Sequence, residues 1–311
     1  MSNDCLITCG VPQGSKLGPL LFLIYVNDLP NCLIHSKATL FADDTTILAI
    51  SDDVFQLRSD IAIDLILLKK WFTANKLTLN IDKTYGCEFG MKTVNANPLI
   101  VEDFEIKMSN SVKYLGINVD SKLSWKNHIS YVCNKISRAI GVISKVRQNL
   151  NMKTLLLMYN SLVHSHLLYC IEIWGTAYKT SLQPLFLLQK RAVRLICDAG
   201  YRDHSEPLFK RLGIRNIFQE IKLRQQILSF DVVKNTGRYS FNIPTMHQHD
   251  HTTRFAENNI PLPKIRTDRF GLRGLIPQLV SAFNSIPKEL KDLDNSRFNY
   301  VKWRLQEINR P

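Results

Sequence analysis

Phe41-Ala42-Asp43-Asp44-Thr45 decides how this chain is read. Two adjacent carboxylates stand between two apolar runs, Ala38-Thr39-Leu40 before them and Ile47-Leu48-Ala49-Ile50 after. Thr39 to Ala42 and Thr45 to Ile50 are β-prone, so the stretch reads as a hairpin turning at Asp43-Asp44. Taken alone this is an ordinary turn, because short carboxylates tolerate turn backbones. Gly10-Val11-Pro12-Gln13-Gly14-Ser15, upstream, changes the weight of that reading. Cys5 to Cys9 reads as a short strand leading into it, and Ser15 or a close neighbour can cap the next helix. That helix, about Leu17 to Asn27, is apolar nearly all round, which predicts burial on most sides.

After the hairpin, Val54, Leu57, Ile61, Leu65, Leu68 and Phe72 recur at spacings of three and four, the pattern of a long amphipathic helix. Lys76 to Asn80 alternates like a strand, and Gly86 to Gly90 and Val112 to Val119 predict two more. The fold class is α+β, with helices packed on one face of a small antiparallel sheet. After Asp120 no Asp or Glu occurs until Glu172, while Lys122, Lys126, Lys135, Arg138, Lys145, Arg147 and Lys153 fall in that interval. Apolar residues at 129, 132, 136, 140, 143, 146 and 150 form one helical stripe, with Lys135, Arg138 and Lys145 on another face. A solvated face normally mixes signs, so an all-basic face points to a phosphate track. Leu155 to Trp174 reads as a buried helix, interrupted by too many polar residues for a membrane span. Lys190, Arg191 and Arg194 lie on a second basic helix, Leu185 to Ile196. Further helices are expected at about 217–234, 275–286 and 298–308, with a long loop at about 236–270.

The totals agree with a nucleic-acid partner. The 311 residues carry 40 Lys and Arg against 27 Asp and Glu, a net charge of +13, which favours a polyanion. Apolar content of 45% is that of a globular protein. Seven scattered cysteines with no C-x-x-C fit a reducing compartment, nuclear or cytoplasmic, and no signal peptide follows Met1. His247, His249 and His251 alternate in a polar stretch, and His164, His166 and Cys170 share helical spacings. Solvation and packing explain these two groups better than a metal does.

Two carboxylates on a rigid hairpin suit two-metal phosphoryl transfer, in which Mg²⁺ ions about 3.5–4 Å apart flank the reacting phosphate. Mg²⁺ prefers hard oxygen ligands, and crowding two like charges favours a site that receives a cation. Gly10 and Gly14 permit close backbone approach to a nucleotide, Pro12 stiffens the turn, and Gln13 offers amide hydrogen bonds.

At this point the residues resemble a known family. Gly10-Val-Pro-Gln-Gly-Ser15, then Leu17-Gly-Pro-Leu-Leu-Phe-Leu-Ile-Tyr-Val-Asn-Asp-Leu-Pro30, then Phe41-Ala-Asp-Asp-Thr45, resemble motifs B and C of the reverse transcriptases of non-LTR retrotransposons, the jockey-like group especially. Leu77-Thr-Leu-Asn80 with Lys83-Thr84 resembles motif D, and Val112-Lys-Tyr-Leu-Gly116 the motif E primer grip. Leu168-Tyr169, Trp174-Gly175 and Gln189-Lys-Arg-Ala-Val-Arg194 resemble the region after the palm. The resemblance implies an RNA-directed DNA polymerase that uses Mg²⁺, an RNA template, a DNA primer and dNTPs. It implies Asp43 as a metal ligand, Asp44 as its acidic companion and Lys83 as a charge stabiliser or proton donor at the pyrophosphate. Gly10, Pro12, Gln13, Gly14 and Ser15 would position nucleotide and template. Ala42, Lys113, Leu115 and Gly116 would contact the primer, and Lys135, Arg138, Lys145, Lys190, Arg191 and Arg194 the nucleic-acid backbone.

Residues 1–120 then read as a partial palm with motifs B to E, 121–200 as a basic, thumb-like helical region, and 201–311 as a C-terminal helical region. In this family motif A, with the other metal-binding Asp, precedes motif B, and nine residues precede Gly10 here. Asp4 does not match that motif. The expectation is an N-terminally truncated polymerase with little or no activity as an isolated chain, poorly soluble through an unpaired apolar edge. The alternative is a non-catalytic nucleic-acid-binding remnant.

Overall fold

A computed structural model describes residues 14–90, 97–102, 104–235, 259–262 and 267–311. The strand expected at Cys5 to Cys9, the residues Gly10, Pro12 and Gln13, and the histidines at 247, 249 and 251 lie outside the described residues, as does most of the loop expected at 236–270. The chain divides into two units, residues 1–88 with 92–112, and residues 89–91 with 113–311.

In the first unit, α1 (Gly18–Val26) leads through a 3₁₀ turn (Leu29–Cys32) into the hairpin of β1 (Lys37–Phe41) and β2 (Asp44–Leu48). Next come α2 (Val54–Ala74), β3 (Tyr85–Gly86), β4 (Leu99–Val101) and β5 (Phe104–Met108). Asp53 caps α2 by accepting from the Phe55 and Gln56 amides, so the helix starts where the sequence supplies a cap. Leu65 and Leu68 of α2, Leu29 and the inner residues of β4 and β5 form the core, and Ala38, Leu40 and Ile47 pack on it from the hairpin.

Several expectations are corrected here. Instead of one antiparallel sheet, the described residues form small separate sheets: β1–β2, and β3–β5–β4 with β3 parallel to β5. Lys76 to Asn80 is not a strand, and only Tyr85–Gly86 of the expected Gly86 to Gly90 strand forms. β4 and β5 are strands the sequence reading missed: the run Leu99–Val101 has no alternation to reveal it, while Phe104–Met108 does alternate, apolar side in, and was overlooked. The helix α1 is not buried on most sides: Val26 is buried, while Leu17, Leu20, Leu23 and Ile24 are exposed. A helix apolar all round commits no particular face, and the small core of this unit takes up little of it. The Tyr25 hydroxyl fastens it by donating to the Asn75 carbonyl at the end of α2.

The boundary between the units falls within β6 (Ser111–Tyr114), which forms a hairpin with β7 (Ile117–Asp120), so Val112 to Val119 is two strands and a turn rather than one strand. The second unit is helical beyond it: α3 (Lys126–Val146), α4 (Met152–Tyr159), a π-helical turn (Asn160–His164), α5 (Ser165–Leu168), α6 (Ile171–Trp174), α7 (Lys179–Ile196), α8 (Ser205–Leu212) and α9 (Ile217–Lys234). A π-helical turn (Asp268–Leu272) precedes α10 (Leu275–Asn284), α11 (Lys288–Lys291) and α12 (Phe298–Ile308). The predicted stripe of α3 is the observed one, with Ile129, Val132, Ile136, Ile140 and Ile143 buried.

The expected helix from Leu155 to Trp174 is broken, for a reason visible in its pattern. Leu155, Tyr159, Val163, Leu167 and Ile171 are all buried, at steps of four residues. Four residues overshoot a 3.6-residue turn by about 40°. The wider π turn absorbs part of this drift, and a left-handed residue, Cys170 with φ +51°, restarts the chain before α6. A second core joins α9, α10, α11 and α12 around Phe230, Leu279, Phe283 and Val301. Among the described residues no helix is long and apolar enough to cross a membrane.

Candidate active site

The pairing Phe41↔Asp44 leaves Ala42 and Asp43 as the two turn residues of the β1–β2 hairpin. This corrects the sequence reading by one position: Asp43 is in the turn and Asp44 opens β2. Ala42 carries φ +50°, a left-handed conformation that two-residue hairpins favour and that a Cβ opposes. Alternation turns Ala38, Leu40, Thr45 and Ile47 inward, while Phe41 and Asp44 face out. Asp43 and Asp44 are both exposed at the tip, where their oxygens are free to meet a cation and solvent. Non-glycine residues in this backbone region cost about 1–3 kcal/mol and cluster at functional sites. Ala42→Gly is therefore expected to raise stability by about 0.5–1 kcal/mol, the relief of the Cβ less the added freedom of glycine in the unfolded chain. The midpoint of urea unfolding checks this.

Asp64, which the sequence reading did not single out, holds the hairpin in place. It is fully buried on α2, and its carboxylate accepts from the Ile34 amide at 2.8 Å, the His35 amide at 3.1 Å and the Ser36 hydroxyl. Those three residues lead directly into β1. Burial pushes the Asp64 carboxyl up, but the Ser36 hydroxyl and the backbone amides outweigh it, and the group ends below its ordinary value. The available signal was a lone Asp inside the apolar run Ile61-Ala62-Ile63-Asp64-Leu65.

Lys83 stands on a different element. Asn80 caps a 3₁₀ turn, Ile81–Lys83, by accepting from the Lys83 amide, and leaves the Lys83 side chain exposed. Upstream, Gly14 has φ +86°, a conformation suited to glycine, and Ser15 Oγ accepts from the Gly18 amide at the start of α1 at 3.0 Å.

In the second unit, Lys113 lies on β6, and Leu115 and Gly116 are the turn residues of the β6–β7 hairpin. Both have positive φ, +43° and +85°, the φ pair of a type I′ turn. The Tyr169 hydroxyl donates to the Leu115 carbonyl at 2.6 Å, and Trp174 Nε1 donates to the Tyr169 carbonyl at 2.8 Å. Leu168-Tyr169 and Trp174 thus have a shared physical purpose: the buried indole fixes the tyrosine, and the tyrosine fixes the turn. Asp120 adds a second anchor, accepting from the Lys122, Ser124 and Trp125 amides ahead of α3.

The two basic helices are brought together. The chain following α3 and α7 is joined by the Arg147–Asp198 ion pair at 3.4 Å, and both helices share one core. Arg138, Lys145 and Arg191 are exposed. Lys135 leans over Tyr131, Lys190 sits 4.3 Å from the centre of the Phe186 ring, and Arg194 donates twice to the Asp203 carbonyl. Gln189, in the same motif, is buried and structural. Its Nε2 donates to the Tyr159 hydroxyl and the Arg215 carbonyl, and its Oε1 accepts from the Ile217 amide.

Residues 3–119 match the family model described as Reverse transcriptase (RNA-dependent DNA polymerase). Over those residues the chain is similar to reverse transcriptase domains, and its homologues are RNA-directed DNA polymerases of non-LTR retrotransposons. It is 28% identical over 252 residues to the RNA-directed DNA polymerase from mobile element jockey of Drosophila melanogaster, covering 74% of this chain and 27% of that protein. It is 29% identical over 257 residues to the "Probable RNA-directed DNA polymerase from transposon BS" of the same organism, covering 78% and 27%. For the corresponding protein of transposon X-element the identity is 25% over 229 residues, covering 71% and 25%. The chain spans about a quarter of the length of these curated relatives. No solved structure matches it.

Reverse transcriptases are in general divalent-metal dependent. Asp43 and Asp44 of this domain offer the hard oxygens that Mg²⁺ takes, on a short supported turn. Among the described residues no group of three or more His, Cys, Asp or Glu forms a metal cluster, and His164, His166 and Cys170 do not make one. The hairpin therefore fits as part of a ligand set.

Proposed function

We propose that this chain supplies the carboxylate hairpin and the primer-holding turn of an RNA-directed DNA polymerase. The observation that carries the reading is the match of residues 3–119, with Asp43 and Asp44 exposed at a hairpin tip that Asp64 anchors from beneath. Asp43 would hold Mg²⁺, with Asp44 beside the primer end. The ion, when bound, makes the primer 3′-oxygen a better nucleophile and stabilises the leaving pyrophosphate. Ala42, at the strained turn position, presents a small surface to a sugar. Lys83 offers a mobile ammonium that offsets charge on phosphate oxygens and can donate a proton to them. Gly10, Pro12, Gln13, Gly14 and Ser15 would position nucleotide and template, and Lys113, Leu115 and Gly116 would hold the primer on a turn kept rigid by Tyr169. RNA template, DNA primer and dNTPs are the corresponding partners.

The 311 residues offer two carboxylates at the tip, where two-metal transfer calls for a fuller set. A polypeptide of these residues alone is therefore expected to give at most a trace of primer extension on an RNA template with Mg²⁺ and dNTPs. Robust synthesis that disappears in Asp43→Ala would overturn that expectation while supporting the site.

A second reading, a non-catalytic nucleic-acid-binding protein, is favoured by one feature: the exposed basic residues of the packed α3 and α7. Binding that falls steeply with salt and is indifferent to Mg²⁺ and to Asp43→Ala would support it.

A further inference from the structure

The helix α12 carries two stripes with different fates. Phe298, Val301 and Leu305 point into the core of the C-terminal helices. Arg297, Tyr300, Arg304 and Ile308, at steps of three and four, form the neighbouring stripe and line a cleft of about 360 Å³. Pro287, Leu290 and Leu293, from α11 and its flanks, make the apolar opposite wall. The volume lies in the range of small-ligand sites.

The chemistry of the stripe is specific. Tyr300 is 47% exposed, and Trp303, beside the stripe and outside the cleft lining, is 50% exposed, with ring centres 5.9 Å apart. The Arg304 guanidinium lies 5.7 Å from the centre of the Trp303 ring. From Arg297 to Arg310 there are four basic residues, Arg297, Lys302, Arg304 and Arg310, and one acidic residue, Glu307, which pairs with Arg310 at 2.5 Å. Glu289 lines the opposite wall, and Asp294 interacts electrostatically with Arg297. The half-exposed Tyr300 ring and the Arg297 and Arg304 guanidinium groups stand together in the cleft. They offer what single-stranded nucleic acid needs: a flat face for a base and guanidinium groups for phosphates. The net charge of +13 favours a polyanion over an acidic peptide of small charge.

We propose that this cleft binds single-stranded nucleic acid, with a base stacked on Tyr300 and phosphates on Arg297 and Arg304. The site lies outside the matched reverse transcriptase residues and does not depend on the Asp43–Asp44 hairpin. It gives the C-terminal helices a hold on a strand independent of the polymerase motifs.

The test is fluorescence anisotropy of a labelled short single-stranded oligonucleotide, RNA and DNA in turn, with the full chain and excess EDTA. Tyr300→Ala is expected to weaken binding about tenfold, and Tyr300→Phe to bind within about twofold of the parent, because phenylalanine stacks as well. Arg304→Gln is expected to reduce the slope of log affinity against log salt by about one. Ultraviolet crosslinking of the unaltered chain should place adducts on the peptide containing Tyr300 and Trp303, which keeps the test decisive if a variant misfolds. The proposal is overturned if the parent chain binds no oligonucleotide, if Tyr300→Ala binds as the parent does, if adducts form only elsewhere, or if an acidic peptide displaces the strand with equal potency. Divalent metal is absent throughout, so failure here leaves the Asp43 reading untouched, and failure of primer extension leaves this cleft untouched.

Discussion

Asp64→Ala is expected to cost the first unit about 3–5 kcal/mol and to release the hairpin that carries Asp43. The carboxylate takes two backbone amides, Ile34 and His35, and the Ser36 hydroxyl, in a position with no solvent exposure. Hydrogen bonds to a charged group contribute about 1.5–3 kcal/mol each, and a buried donor left unpaired costs about 1–3 kcal/mol. Alanine removes the acceptor and leaves the donors. The same bonds hold the Asp64 carboxyl below its ordinary value, so folding favours the ionised form. That contribution is complete above the unfolded-chain value of about 3.9 and is lost as pH falls through the lower folded value. Urea titrations at neutral pH, followed by the Trp71 signal near this core, measure the loss. A change below about 1 kcal/mol would show that Asp64 does not anchor the strand.

Gln189→Leu is the second large effect, expected at about 3–5 kcal/mol in the second unit. Its side chain is completely buried, donates to the Tyr159 hydroxyl at 2.8 Å and the Arg215 carbonyl at 2.9 Å, and accepts from the Ile217 amide at 2.9 Å. One residue thereby joins α4, α7 and the start of α9. Leucine fills a similar volume, so the cost arises from three polar groups stranded in the interior and not from a cavity. Burial already pushes the Tyr159 phenol well up, which shows how dry the position is. Thermal unfolding of the variant checks this, and an unchanged midpoint would contradict it.

Much of this architecture is legible in the residues. Long helical patterns survive intact: the stripe of α3 is buried as its spacing requires, and α9 and α12 occupy the predicted spans. An amphipathic stripe such as that of α3 buries one face whatever its neighbours do, while α9 is buried on several sides. What fails is what depends on tertiary partners. The helix α1 has apolar residues on every side, so its sequence does not say which side is covered. The short strand β4 is defined by its pairing with β5 and has no alternation of its own, whereas β5, Phe104-Glu-Ile-Lys-Met108, alternates as its burial does and was a legible signal left unread. The hairpin was found but displaced by one residue, because Ala42 rather than an Asp takes the left-handed position. In the candidate site, the exposed groups Asp43, Asp44 and Lys83 were legible from motif and spacing. Their supports were not, since Asp64 and Tyr169 act across 28 and 54 residues of sequence.

The central claim is that Asp43 takes a divalent cation at the hairpin tip. Iron-mediated backbone cleavage tests it most directly: Fe²⁺ replaces Mg²⁺, and hydroxyl radicals cut the chain next to the bound ion. The account predicts cuts around Ala42 to Thr45 that fade as Mg²⁺ is added and vanish in Asp43→Ala. Cuts that fall elsewhere, or that persist in Asp43→Ala, would contradict it.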